Sequence, residues 1–148
     1  MGAISGMPIE ETYPGQDGYT MVKFKKSPIM STYLLAFLVS DFVYTENQEE
    51  PDLYKVIECN WGWLDNFWLF HQYIWFQVYH SRTKSGQAEL AAAAFPSILH
   101  YYEEVFDLDF PLDKLDMAAI PDFSAGAMEN WGLVMYREVT TYELKLKF

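Results

Sequence analysis

Over residues 87–106 apolar side chains recur at steps of three and four: Ala88, Leu90, the alanines at 91–94, then Ile98, Leu99, Tyr102, Val105 and Phe106. That period gathers them on one side of an α-helix, and Ser85-Gly86 just ahead supplies a start signal. Pro96 lies inside the pattern. It lacks an amide donor and its ring clashes with the preceding turn, so it predicts a kink or a division of the helix. Residues 30–43 are densely apolar and β-prone without clean alternation, which reads as one or two buried strands. Residues 115–120 and 133–136 read as strands as well. Residues 8–28, punctuated by Pro8, Pro14, Gly15, Asp17 and Gly18, read as turns and loops. The acidic run 46–52, interrupted by Pro51, reads as a solvated linker. Strands with a single long helix among them give an α+β fold class.

Residues 60–76 fit no simple period. They hold Trp61, Trp63, Trp68 and Trp75, four of the five tryptophans in the chain. A membrane-crossing helix needs roughly 20 mostly apolar residues, and Asp65, Asn66, His71 and Gln72 interrupt this run. Three readings stay open: an insertion that packs within the domain, an exposed aromatic contact patch, or translated non-coding sequence.

Composition narrows the class. The 148 residues are 51% hydrophobic and 18% aromatic, enough to build a core and far from the profile of disorder. A net charge of −11 argues against a nucleic-acid surface, which needs clustered Lys and Arg. It suits attraction of cationic peptide N-termini, and solubility explains it equally well. Cys59 is the single cysteine, so the chain forms no internal disulfide. No basic region followed by an apolar run marks a signal peptide at the start.

The most informative run is Gly126-Ala127-Met128-Glu129-Asn130, continuing Trp131-Gly132-Leu133. It is preceded by Leu112-Asp113-Lys114-Leu115-Asp116 and Ile120-Pro121-Asp122-Phe123, and followed by Tyr136-Arg137-Glu138. Upstream stand Ala3-Ile4-Ser5-Gly6-Met7-Pro8 and Met30-Ser31-Thr32-Tyr33-Leu34-Leu35-Ala36-Phe37. Together these blocks resemble the aminopeptidase N family of zinc metallopeptidases, in family order. The resemblance implies the end of an N-terminal β-sheet domain (1–43) followed by the first strand-and-helix part of a thermolysin-like peptidase domain (44–148). It makes the Trp-rich stretch near 57–76 an atypical insertion. It also implies an activity, removal of N-terminal amino acids from peptides, with peptides bearing a free N-terminus as partners and a homodimer as the assembly of a full-length protein. The run of residues 35–42 looks more like membrane-anchored ectoenzymes on the extracellular face of the plasma membrane than like cytosolic relatives.

The resemblance assigns Glu129 to the grip on the substrate's α-amino group. A carboxylate suits that task because charge-assisted hydrogen bonds are short and strong. Gly126 and Ala127 leave the strand edge open to the substrate backbone. Met128 borders the pocket for the first side chain, and Asn130 positions the loop. The same family holds Zn2+ with His-Glu-x-x-His on one helix and a glutamate from the next, the two histidines sharing one helical face. His71, His80 and His100 have no such spacing, with each other or with Cys59. No catalytic or metal-binding residue is therefore assigned in this chain, which reads as a portion of the enzyme that is inactive alone. The alternative is a catalytically dead peptide-binding or interaction module. The purified chain is expected to hold no stoichiometric zinc. Metal analysis finding one tightly bound zinc per chain would overturn that expectation.

Overall fold

The computed structural model describes residues 1–46, 53–57, 70–84 and 86–139, with 53–57 and 70–73 described by their backbone alone. Its elements follow as β1 (Gly2–Ser5), β2 (Ile9–Pro14), β3 (Thr20–Phe24), a 3-10 turn at Thr32–Leu34, β4 (Phe37–Ser40), β5 (Val43–Thr45), β6 (Leu53–Ile57), β7 (Phe70–Ile74) and β8 (Val78–His80). Then come α1 (Glu89–Phe106), β9 (Asp116–Ile120), β10 (Ala127–Met128) and β11 (Leu133–Arg137). Sheets together with one helix make the fold α+β.

The centre is a five-stranded sheet in the order β10-β11-β9-β8-β5. Strands β8, β9 and β11 run parallel, and α1 lies in the crossover from β8 to β9. Parallel neighbours need such a crossover because a tight turn can only reverse the chain. The bridge between Trp75 and Lys114 extends the β8–β9 pairing upstream, with Trp75 N donating to Asp113 O and Leu115 N to Trp75 O.

Both faces of this sheet are covered. On one side α1 packs through Ala88, Ala91, Ala92 and Phe95 against Val78, Met117 and Tyr136. Small alanines let the helix axis approach the strands closely. On the other side the antiparallel pair β1–β4 lays Ile4, Leu38 and the adjoining Ala36 over Ala118, Leu133 and Met135. Alternation along a strand delivers neighbours to opposite faces. Met117 therefore meets the helix while Ala118 meets the β1–β4 ribbon. Double coverage is also why β9 is buried from Asp116 to Ala119.

Two expectations from the sequence are corrected. The helix is not divided at Pro96; α1 is continuous from Glu89 to Phe106, with Pro96 buried. Packing of the apolar face offsets the one backbone hydrogen bond that proline removes. Residues 8–28 are not merely loops. They form the β2–β3 hairpin, and most of the turn residues collect at its tip. Every residue of β2 is exposed, so it has no apolar face to give a period-2 signal. The expected strands at 30–43 resolve into the 3-10 turn, β4 and the start of β5, in separate sheets. The acidic run 46–52 lies outside the described residues after Glu46, and so does most of the Trp-rich stretch. Its end, β7, pairs antiparallel with β6.

Leu133 is fully buried between the sheet and the ribbon. Leu133→Ala should therefore lower the unfolding free energy by about 2–5 kcal/mol. Leu108→Ala, at a position 71% exposed, should change it by less than about 0.5 kcal/mol. Urea denaturation of both variants checks the contrast.

Candidate functional site

The run 126–130 lies at the open end of the central sheet. Strand β10 pairs antiparallel with β11, Ala127 opposite Tyr136 and Met128 opposite Met135. Among the described residues nothing pairs with its other edge. Gly126 enters the strand with φ +83, a conformation that costs L side chains strain. Arg137 holds this entrance: its amide donates to Gly126 O at 2.7 Å, Nε to Phe123 O at 2.7 Å, and Nη2 to Ser124 O.

Beyond Met128 the chain reverses through Glu129, Asn130, Trp131 and Gly132 into β11. The Glu129 side chain is exposed and, among the described residues, has no hydrogen-bond or ion-pair partner. Asn130 goes the other way. It is buried, and its Nδ2 donates to Tyr33 O at 3.3 Å. Trp131 N donates to Leu34 O at 3.2 Å and Leu133 N to Asn130 O at 3.2 Å. The structure thus brings Gly126, Ala127, Met128 and Glu129 to one open edge, with Asn130 turned inward beneath them.

Gly132 closes the turn with φ +74. A Cβ built there would stand 1.9 Å from Gly6 O, and one built on Gly6 would stand 1.9 Å from Trp131 O. Neither position has room for a side chain. Gly132 O accepts from Asp116 N at 3.1 Å and from Lys114 Nζ at 2.9 Å. Lys114 Nζ also donates to Asp116 Oδ2, and both residues are buried.

Burial pushes the Asp116 carboxyl up to about 6, against the opposing pull of Lys114 and the Gln77 backbone. Burial likewise pushes the Lys114 ammonium down, with Asp116 resisting. Lys114, Asp116, Gly6 and Arg137 are the residues that single-position reading passed over. The available signal was a lysine and an aspartate two apart, entering an otherwise apolar strand.

Zinc, which the resemblance implies, does not fit the residues at hand. Among the described residues no group of three or more His, Cys, Asp or Glu side chains is placed to hold a metal ion. His80 is buried, with Nδ1 on Ser81 O at 3.0 Å and Nε2 on Thr45 Oγ1 at 2.9 Å. A carbonyl only accepts, so Nδ1 carries the proton and neither nitrogen is left for a metal. His100 lies on the surface of α1 beside Glu104. Cys59 lies outside the described residues, and His71 is described by its backbone alone.

Comparison with known proteins shows what the chain is similar to. Residues 90–143 match the Peptidase family M1 domain. The chain is 40% identical over 139 residues to "Aminopeptidase Ey" of Gallus gallus, covering 92% of this chain and 12% of that protein. It is 36% identical over 138 residues to "Endoplasmic reticulum aminopeptidase 2" of Bos taurus, with 93% and 12% covered. It is 40% identical over 139 residues to "Aminopeptidase M1-C" of Oryza sativa subsp. japonica, with 93% and 13% covered. The chain thus spans about an eighth of the length of these relatives.

The buried pair makes stability pH-dependent. Asp116 has a folded pKa above its ordinary value, so its contribution is fully present below about pH 4 and is lost as pH rises through about 6. Between pH 4 and 7 the wild type should lose stability relative to Lys114→Met/Asp116→Leu, which lacks both groups. Parallel urea melts across that range measure the difference, and identical slopes would count against the assignment.

Proposed function

The chain belongs to peptidase family M1, and we propose that it carries the amine-reading segment of a zinc-dependent aminopeptidase that removes N-terminal amino acids from peptides. The observation that carries this reading is the contrast at the turn. Glu129 stands exposed and unpartnered beside an open strand edge, while Asn130 and Gly132, on its C-terminal side, are pinned. A carboxylate left free on an ordered turn is placed to accept from a substrate ammonium. The free edge of β10 can take the substrate backbone as an added strand. Gly126 and Ala127 keep that edge clear. Met128, half-buried and flexible, can border the first side chain without demanding one shape. Asn130 keeps the turn in place through Tyr33 rather than touching substrate.

Bond cleavage is a separate matter. The described residues supply no zinc ligands, no general base and no oxyanion donor assigned to it. Holding the substrate's end without stabilising its transition state gives no rate enhancement. The reading therefore makes this chain one part of a longer catalytic unit. The resemblance in residues 35–42 favours a membrane-anchored ectoenzyme, with a homodimer as its assembly.

As it stands the chain should show no turnover of amino-acid amides, with or without added zinc. Joined to a downstream segment carrying a His-Glu-x-x-His helix, it should cleave them. Glu129→Ala in that protein should then lower kcat/KM by about 10- to 100-fold, the worth of one lost hydrogen bond to a charged group. The loss should be larger for substrates with a free α-amine than for N-blocked ones. Unchanged rates on both would remove Glu129 from the role, and turnover by the chain alone would show that a catalytic site lies elsewhere in it.

A further inference from the structure

We propose that Lys114 and Asp116 are positioning residues for the amine-reading turn, their buried pair setting where Glu129 stands relative to the β10 edge. The proposal rests on the reading of Glu129 given above.

Among the described residues Glu129 has no hydrogen-bond or ion-pair partner to hold it, so its place depends on how the turn is fixed at either end. On the N-terminal side it follows β10, which is only two residues long. On the C-terminal side the fixed point is Gly132, whose carbonyl takes the second hydrogen bond from Lys114 Nζ at 2.9 Å. The Asp116 amide already supplies that carbonyl with a backbone partner at 3.1 Å. Sheet pairing alone would therefore satisfy it.

The added ammonium needs another explanation than stability. Buried ion pairs are often no more stabilising than apolar residues of similar size. What the pair does provide is direction. Lys114 is fixed by Asp116 and gives a second of its three donors to Gly132 O, the carbonyl of the Gly132–Leu133 peptide. The adjoining Trp131–Gly132 peptide lies against Gly6 so closely that neither glycine could carry a Cβ. The turn is thus clamped between the ribbon and the pair, and Glu129 is carried on the clamp. Asp116 also lines a cavity of about 220 Å³ between ribbon and sheet, beside Ile4, Met7 and Tyr79. Its Oδ1 has no hydrogen-bond partner. That space lets apolar replacements be accommodated without overpacking.

The test uses Lys114→Met and the double variant Lys114→Met/Asp116→Leu. The single change leaves a buried carboxylate unpaired and can unfold the chain; the double change removes both charges and should keep the melting temperature near that of the wild type. In the 148-residue chain, amide hydrogen exchange at Trp131 and Leu133 should accelerate at least about tenfold in the double variant, while the amides of α1 keep their protection. Acceleration in step with α1, or none at the turn, would overturn the proposal.

A second readout addresses Glu129 itself. Residues 1–139 are exchanged into the matching stretch of Aminopeptidase Ey of Gallus gallus, and inhibition by leucinamide is compared with inhibition by its desamino analogue. The preference for the amine-bearing compound should fall about tenfold in the double variant. Glu129→Ala is the control that separates the two ideas. If it leaves the preference intact, the reading of Glu129 fails. If it abolishes the preference while the double variant preserves it, the positioning role alone fails. Should the exchanged enzyme not fold, the hydrogen-exchange result decides.

Discussion

The backbone of Gly6 lies against the backbone of Trp131 and Gly132 so closely that neither glycine could carry a Cβ, and the arrangement of the molecule follows from that contact. It joins the β1–β4 ribbon to the end of the central sheet. It brings Tyr33 and Leu34 within hydrogen-bonding reach of Asn130 and Trp131. It also makes one short turn the meeting point of segments that are far apart in the chain. Contacts of such sequence separation form only when the fold is nearly complete, so the turn is a product of the whole structure rather than of local preference.

Around that contact the polar groups divide by depth. Lys114, Asp116 and Asn130 are buried and each makes a hydrogen bond inside the protein. Glu129 stays exposed one position before Asn130. Within the turn Glu129 faces solvent while its neighbour Asn130 is buried. Arg137 serves the other end of the hairpin in the same way, closing the entrance to β10 on carbonyls of the preceding loop. A carboxylate that is free while everything beside it is tied is a different object from a free carboxylate on a loose loop. Binding to it costs less ordering entropy.

Membership in peptidase family M1 gives this geometry its context, and the chain's span of about an eighth of its relatives gives it its scale. A segment of this size can order a turn such as 129–132 through its own hydrogen bonds. Hydrolysis needs a metal, a base and an oxyanion donor converging on one bond, and the described residues bring no such set together. On the reading proposed above, recognition and bond cleavage are separable along the chain, because the turn carrying Glu129 is organised by neighbours the chain itself contains.

Much of this was legible in the amino-acid sequence. The helix was marked by apolar residues at three- and four-residue steps, β9 and β11 by apolar runs, and the family by ordered blocks whose centre is Gly126 to Asn130. Those signals are local, or are carried by residue identity, so they survive without coordinates. The β2–β3 hairpin was not legible because every residue of β2 is exposed and leaves no hydrophobic alternation. The continuity of α1 through Pro96 was not legible either, because packing of its apolar face against the sheet outweighs the local penalty. Nor could any spacing reveal that Lys114 and Asp116 meet the carbonyl of Gly132, or that Gly6 faces Gly132 across the ribbon. Such pairings depend on strand order and on layers closing over one another. Tertiary structure alone decides them, because the energy of burying a charge or excluding a Cβ exists only once the surrounding layers are in place.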